Sequence, residues 1–282
     1  MRKMISLISI SVVILIFISG CSTFIESTID KAAGAAGNKV GQRIGDTVGT
    51  AVAGYAEASL MNLTPALMQM YVSSIFSMVY YHGGYSFSYN EYEPGDLTRW
   101  KATGMDEGDE FEKAFLKREE DGKEWWRVVS KGMREGNMEE VVLESLFSPP
   151  DEAGYRRLLR LRSLFPGDKE AAEVPVQENT AAWYAQPTKL TKESLEAATK
   201  GFEDVTTPAG SFNTRHVVYR DIRGIAEWWL TDEVPGGLVK YKVTYTSEES
   251  EEEEETESAE YIVEVTSFDR KGGAMDSRLG SF

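Results

Sequence analysis

The chain has 282 residues, of which 41% are apolar, 27% charged and 11% aromatic, enough to bury a core and too apolar for a collagen-like or globally disordered chain. With 30 Lys and Arg against 46 Asp and Glu the formal charge is -16, so most of the surface repels a phosphate backbone and nucleic acid is not an expected partner. One cysteine and two histidines leave no intramolecular disulfide and little material for a metal centre, and no cofactor is expected.

The chain opens with Arg2 and Lys3, followed by an uncharged run from Met4 to Ser19 rich in Ile, Leu and Val. A basic start before a short apolar stretch is the pattern of a secretory signal over residues 1–20. At about 1.5 Å per residue the stretch is marginal for a spanning helix, and it ends in small residues before the only cysteine, Ile18-Ser19-Gly20-Cys21. The quartet resembles the lipobox of bacterial envelope lipoproteins. That resemblance implies cleavage before Cys21, acylation of its thiol and new amino group, and a membrane partner reached through the acyl chains. It also implies a periplasm-facing location in the cell envelope, and Ser22, where an Asp resembles an inner-membrane retention signal, favours the outer membrane. Each buried methylene contributes about 0.8 kcal/mol, so several acyl chains hold firmly even an acidic body that anionic headgroups repel.

Residues 21–33 read as a tether. Beyond it Gly37, Gly41, Gly45 and Gly49 recur every fourth position, flanked by Val40, Ile44, Val48 and Val52 at the same spacing. On a helix this is a bare stripe beside a β-branched one, and four glycines, at about 1 kcal/mol each, make sense only where a second backbone comes close. The stripe resembles the glycine zippers of several envelope lipoproteins and small membrane proteins. Its partner is either the next segment or the same helix of another copy, and a flexible Ala/Gly tether is the plain alternative. From Ala58 to Asn90 there is no charged residue. Thr64 and Pro65 begin a helix over 66–81, and His82-Gly83-Gly84 end it. Burial under a following sheet, a membrane-surface helix and a transmembrane hairpin all fit its apolar run. Residues 34–82 thus form a helical unit.

From Tyr85 the period changes to two. Strands are predicted over 85–92, 97–103, 111–118, 123–131, 138–147 and 155–165, with turn residues between them. A linker, 166–190, and a short helix, 191–200, precede strands over 210–220, 224–231, 237–246 and 260–268. Glu124-Trp125-Trp126 and Glu227-Trp228-Trp229 echo one another; within each pair the two indoles must face opposite sides of the sheet. Trp125, Trp126, Trp228 and Trp229 are therefore candidates for the core or for an apolar ligand site. Ser247–Ser258 carries eight acidic residues and reads as a solvated hairpin loop, and the tail 271–282 reads as loose.

The fold class expected for 85–270 is α+β: a strongly curved antiparallel sheet, an unclosed barrel, with a few helices. Within 208–246 the sequence Pro208-Ala209-Gly210-Ser211-Phe212, then Glu227-Trp228-Trp229-Leu230, then Val234-Pro235-Gly236-Gly237-Leu238 weakly resembles the half-barrel proteins of lipoprotein sorting. That resemblance implies a hollow for acyl chains or another apolar ligand and no catalytic residue. Pro235-Gly236 also suits the centre of a type II turn with no ligand role. No phosphate loop, G-x-S-x-G elbow or H-E-x-x-H occurs, and His82 and His216 lack motif partners. The expected protein is a non-enzymatic lipoprotein binding lipid or another apolar ligand. The alternative is a structural one that assembles with itself or an envelope protein through the glycine-spaced helix.

Overall fold

The computed structural model describes residues 72, 75–81, 85–86, 89, 91–104, 108–134, 137–152, 154–174, 176, 188–189, 191–221, 224–245, 260–270 and 272–282. Cys21, the Gly37–Gly49 stripe, His82 and the acidic 247–258 segment lie outside them.

Short alternating segments separated by glycine turns can satisfy their backbone only by pairing with one another, and they do so in two meanders. The first runs through β2 (Asp96–Gly104), β3 (Glu110–Arg118), β4 (Glu124–Arg134), β5 (Asn137–Phe147), β6 (Leu158–Leu164) and β7 (Ala172–Val174). The second runs through β9 (Thr199–Thr207), β10 (Gly210–Asp221), β11 (Gly224–Leu230), β12 (Leu238–Tyr245) and β13 (Glu260–Arg270). β13 pairs antiparallel with β2 and joins the meanders into one 11-stranded sheet, ordered β7-β6-β5-β4-β3-β2-β13-β12-β11-β10-β9. The predicted 85–92 strand shrinks to β1 (Tyr85–Ser86), which pairs in parallel with β8 (Thr188–Lys189).

The sheet is open, with β7 and β9 at its edges, and its second half is rolled. Cα atoms of β9 and β13 come within 8 Å of each other although three strands separate them, where a flat sheet would hold them about 19 Å apart. The rings of Phe212 on β10 and Phe268 on β13 accordingly meet at 6.1 Å.

Further sequence expectations change. The linker read over 166–190 contains two short strands, β7 and β8. The predicted 191–200 helix is α1 (Lys192–Ala198), capped by Thr191, whose hydroxyl accepts the Ser194 amide at 3.1 Å. The chain then turns directly into β9, an edge strand the alternation rule overlooks because Glu203, Asp204 and an exposed Phe202 leave it no apolar face. The tail expected to be loose is docked. The Met275 amide donates to the Leu116 carbonyl at 2.7 Å, an acceptor that a β-bulge between Phe115 and Lys117 turns out of the β3–β4 ladder.

The alternation places a continuous apolar cluster on one face of the sheet, including Trp100, Phe111, Phe115, Trp126, Leu143, Val217, Trp228 and Val263. A smaller cluster of Leu97, Ala114, Leu116, Trp125 and Leu146 lies on the other face, under Met275. Val72, Ile75, Phe76 and Val79, described residues of the uncharged segment, are buried in the larger cluster. Among the three readings of 66–81, burial under the sheet is the one these residues adopt, and no helix among the described residues is long and apolar enough to cross a membrane.

Candidate functional site

The hollow of the first meander is built from aromatic residues. Phe76–Tyr80 forms a π-helical turn closed by the Tyr81 amide on the Phe76 carbonyl at 2.9 Å, and it lies over β3 and β4. Tyr80 stacks on Phe147 at 5.0 Å and meets Trp126 edge-on at 5.3 Å, while Trp126 lies flat on Phe115 at 4.4 Å. Tyr92 closes the group, its ring 5.3 Å from Trp126. Beside Val79 a void of about 20 Å³ remains, lined by Trp100, Phe111, Leu238, Tyr241, Tyr261 and Val263. It has room for about one water, far from the several hundred Å³ of a ligand pocket.

Two charged groups border this apolar setting: Glu124, which accepts the Trp126 indole N–H at 3.2 Å and is paired with Arg118 and Arg156, and Lys113. On β3, Phe111, Lys113 and Phe115 share the inner face, so strand periodicity sends the Lys113 side chain into the core, where it is 7% exposed. Its Nζ lies 4.4 Å from the Tyr80 ring centroid, 4.9 Å from Tyr92 and 5.1 Å from Trp126, and donates at 2.8 Å to the Tyr80 carbonyl. That carbonyl closes the helical segment, where a cation is favoured. No carboxylate pairs with Lys113 among the described residues. Glu112 is taken by Arg99 and Arg127, and Glu124 by Arg118, Arg156 and the Trp126 indole. Loss of hydration alone pushes the Lys113 ammonium down to about 7. The same burial raises Tyr80 and Tyr92 above the ordinary phenol range, so both rings are neutral walls.

The predicted tryptophans divide between faces as adjacent strand residues must. Trp126 and Trp228 belong to the inner cluster. Trp125 faces outward and packs against Phe282, with the Arg162 guanidinium 4.7 Å from its ring. Trp229 lies flat against His216 at 4.5 Å and donates its indole N–H to Glu203. Only Trp126 touches Lys113, so the four do not form one site. His216 is held between Glu203 and Glu227, at 3.2 and 3.0 Å, a cross-strand clamp binding edge strand β9 to β11.

The Val234–Gly237 segment is a turn, closed by the Gly237 amide on the Val234 carbonyl at 2.8 Å with Gly236 at φ +77°. A Cβ on Gly236 would stand 2.5 Å from Tyr92. The Pro235 carbonyl accepts the Thr98 hydroxyl, which in turn accepts the Tyr92 hydroxyl at 3.0 Å. The turn thus props one wall of the Lys113 cage, a role the motif itself does not announce. Lys113 was also missed by motif reading, although its place between two phenylalanines at period two was the available signal.

On the outer face, fully buried Glu144 on β5 accepts from Arg162 at 2.8 Å, from the Ser277 hydroxyl and from the Arg278 amide at 2.8 Å. Arg162 also reaches the Ser281 carbonyl at 2.7 Å, so one ion pair fastens the tail at three residues.

No protein-family model and no curated protein matches the chain. Among solved structures, a lipoprotein candidate from Parabacteroides distasonis is 10% identical over 66% of this chain and 99% of its own, with a TM-score of 0.28. An exported-protein candidate with a YmcC-like fold from Bacteroides fragilis is 13% identical over 64% of this chain and 99% of its own, with a TM-score of 0.30. Neither likeness is close enough to carry a family or a function to this chain.

Proposed function

We propose that the chain is a non-enzymatic lipoprotein of a bacterial cell envelope, anchored through acyl groups on Cys21, whose open sheet offers its inner face to lipid or another apolar ligand. The single observation that carries the anchor is the run Ile18-Ser19-Gly20-Cys21 behind a basic start and an apolar core. An open, partly rolled antiparallel sheet with one aromatic face supports the ligand reading, and it is the architecture implied by the sorting-protein resemblance at 208–246. Because Val72, Ile75, Phe76 and Val79 fill part of that face, ligand entry in this reading goes with their departure. The glycine stripe then serves as spacer or helix partner near the membrane, and an outer-membrane address follows from Ser22.

The test is a Cys21→Ser chain expressed beside the parent. Loss of acylation by mass spectrometry and release from the membrane fraction are expected; equal membrane attachment of both would overturn the anchor. Organic extraction of parent protein purified from membranes should yield bound lipid in proportion to protein, and empty extracts would overturn the ligand reading. The structural alternative predicts instead a crosslinked oligomer that Gly41→Leu and Gly45→Leu abolish.

A further inference from the structure

A buried ammonium needs a reason. Lys113 is the one lysine among the described residues that lies buried with its charge in the inner apolar cluster, and its polar partner is a neutral main-chain carbonyl. A carbonyl is a poor substitute for an anion: it accepts a hydrogen bond from the ammonium but leaves the charge unbalanced, and that imbalance costs more as water is excluded. Other buried cations of this sheet do have anions, Arg127 with Glu112 and Arg162 with Glu144. Among the described residues, no acidic side chain stands against Lys113 as an ion-pair partner.

What meets the ammonium besides the carbonyl is aromatic, Tyr80, Tyr92 and Trp126, and beyond them Phe115 and Phe147 extend the apolar wall. A molecule matching this lining has one compact negative end and one long apolar end. Three rings within 5.1 Å of Nζ restrict the head to something small, which suits a carboxylate and not a bulky phosphodiester. The present occupant has the same design in peptide form: an apolar stretch, Val72, Ile75, Phe76 and Val79, ending in the carbonyl oxygen of Tyr80 that Lys113 grips. Its last residues, Phe76–Tyr80, are wound as a π-turn, a rare geometry frequently found at functional sites.

We propose that Lys113 is the headgroup anchor of a site for a single-chain fatty carboxylate, and that Val72 and Ile75–Tyr81 hold this site as a displaceable substitute for the ligand. Resting on the ligand reading above, this names the class of ligand and the residue that recognises it. Displacement exchanges the Tyr80 carbonyl for a carboxylate on the same ammonium and exchanges side chains for methylenes on the same aromatic wall. Since burial holds the free ammonium down to about 7, an anion beside it also removes the cost of keeping it charged.

The test uses the full-length chain purified from membranes in a nonionic maltoside detergent and titrated with radiolabelled oleate or oleyl alcohol, which share one chain and differ in the head. Oleate is expected to bind at least tenfold tighter than the alcohol. Lys113→Met should erase that preference while leaving weak binding of both, and Lys113→Arg, which keeps the cation, should retain part of it. If the parent binds neither probe, the hollow takes no amphiphile and the underlying ligand reading fails with the proposal. If it binds both equally, or if Lys113→Met keeps the oleate preference, the ligand reading stands and the assignment of Lys113 is overturned. If Lys113→Met does not fold, crosslinking between residues 76 and 147, whose rings meet at 6.3 Å, decides: a Phe76→Cys, Phe147→Cys pair joined by a short disulfide-containing bismaleimide should block oleate binding and recover it on reduction, and unimpeded binding in the crosslinked protein refutes displacement.

Discussion

Replacing Lys113 with methionine leaves an unbranched side chain one atom shorter and removes its charge, so the pH dependence of the difference isolates what burial of the ammonium does to stability. Unfolded, the amine titrates at its ordinary value of 10.5; folded, at about 7. Between those limits the unfolded chain holds a proton that the native chain lacks, so native stability rises with pH by about 1.4 kcal/mol per pH unit, while below 7 both states are protonated and the cost of the buried charge is present in full. Across pH 6 to 9.5 the parent should therefore gain about 3 kcal/mol relative to Lys113→Met, other titrations cancelling in the difference. The window ends at 9.5 because Tyr80, Tyr81 and Tyr92, all raised by burial, ionise first in the unfolded chain and lower stability above about pH 10. Urea unfolding at 25 °C followed by tryptophan fluorescence, both proteins carrying Cys21→Ser, measures the difference. Parallel stability curves from pH 6 to 9.5 would show that Lys113 titrates alike in both states, and the desolvated cage would be refuted.

Three further outcomes follow from the same contacts. Gly236→Ala forces a side chain into a backbone at φ +77° and against the Tyr92 ring, and should cost about 2–4 kcal/mol in urea unfolding, whereas Gly167→Ala, also at positive φ but in open space, should cost about 1–2. Glu144→Leu leaves the buried Arg162 cation without its anion and should cost about 3–5 kcal/mol, with faster hydrogen exchange at the Met275 and Arg278 amides; unchanged exchange there would mean the tail is held by other contacts. His216→Ala removes the bridge between Glu203 and Glu227 and should accelerate exchange along edge strand β9 more than along β10 or β11, with a cost of about 1–2 kcal/mol.

Strand identity was legible because it is written locally. In β13 the residues Tyr261, Val263 and Val265 alternate with more exposed ones, and β3, β4, β5, β10, β11 and β12 fall within about three residues of the ends that period two predicts. The opposite facing of Trp125 and Trp126 is a consequence of the same period, as is the turn at Pro235-Gly236 of its two residue types. β9 escaped because an edge strand with little apolar alternation takes its register from β10, its neighbour, and not from its own residues.

What the residues alone determined, then, was a β-rich body with turns at its glycines, a short helix read over 191–200, and a start that reads as an exported, acylated chain. Tertiary structure decided the rest: that β13 pairs with β2 to fuse two meanders, that the chain's own Val72, Ile75, Phe76 and Val79 lie on the inner face, that Lys113 is caged with no anion paired to it among the described residues, and that Glu144 fastens the tail. The division has a physical basis, because alternation depends on residues two apart, whereas burial of a charge or capture of a tail depends on groups brought together from more than 30 and more than 130 positions away.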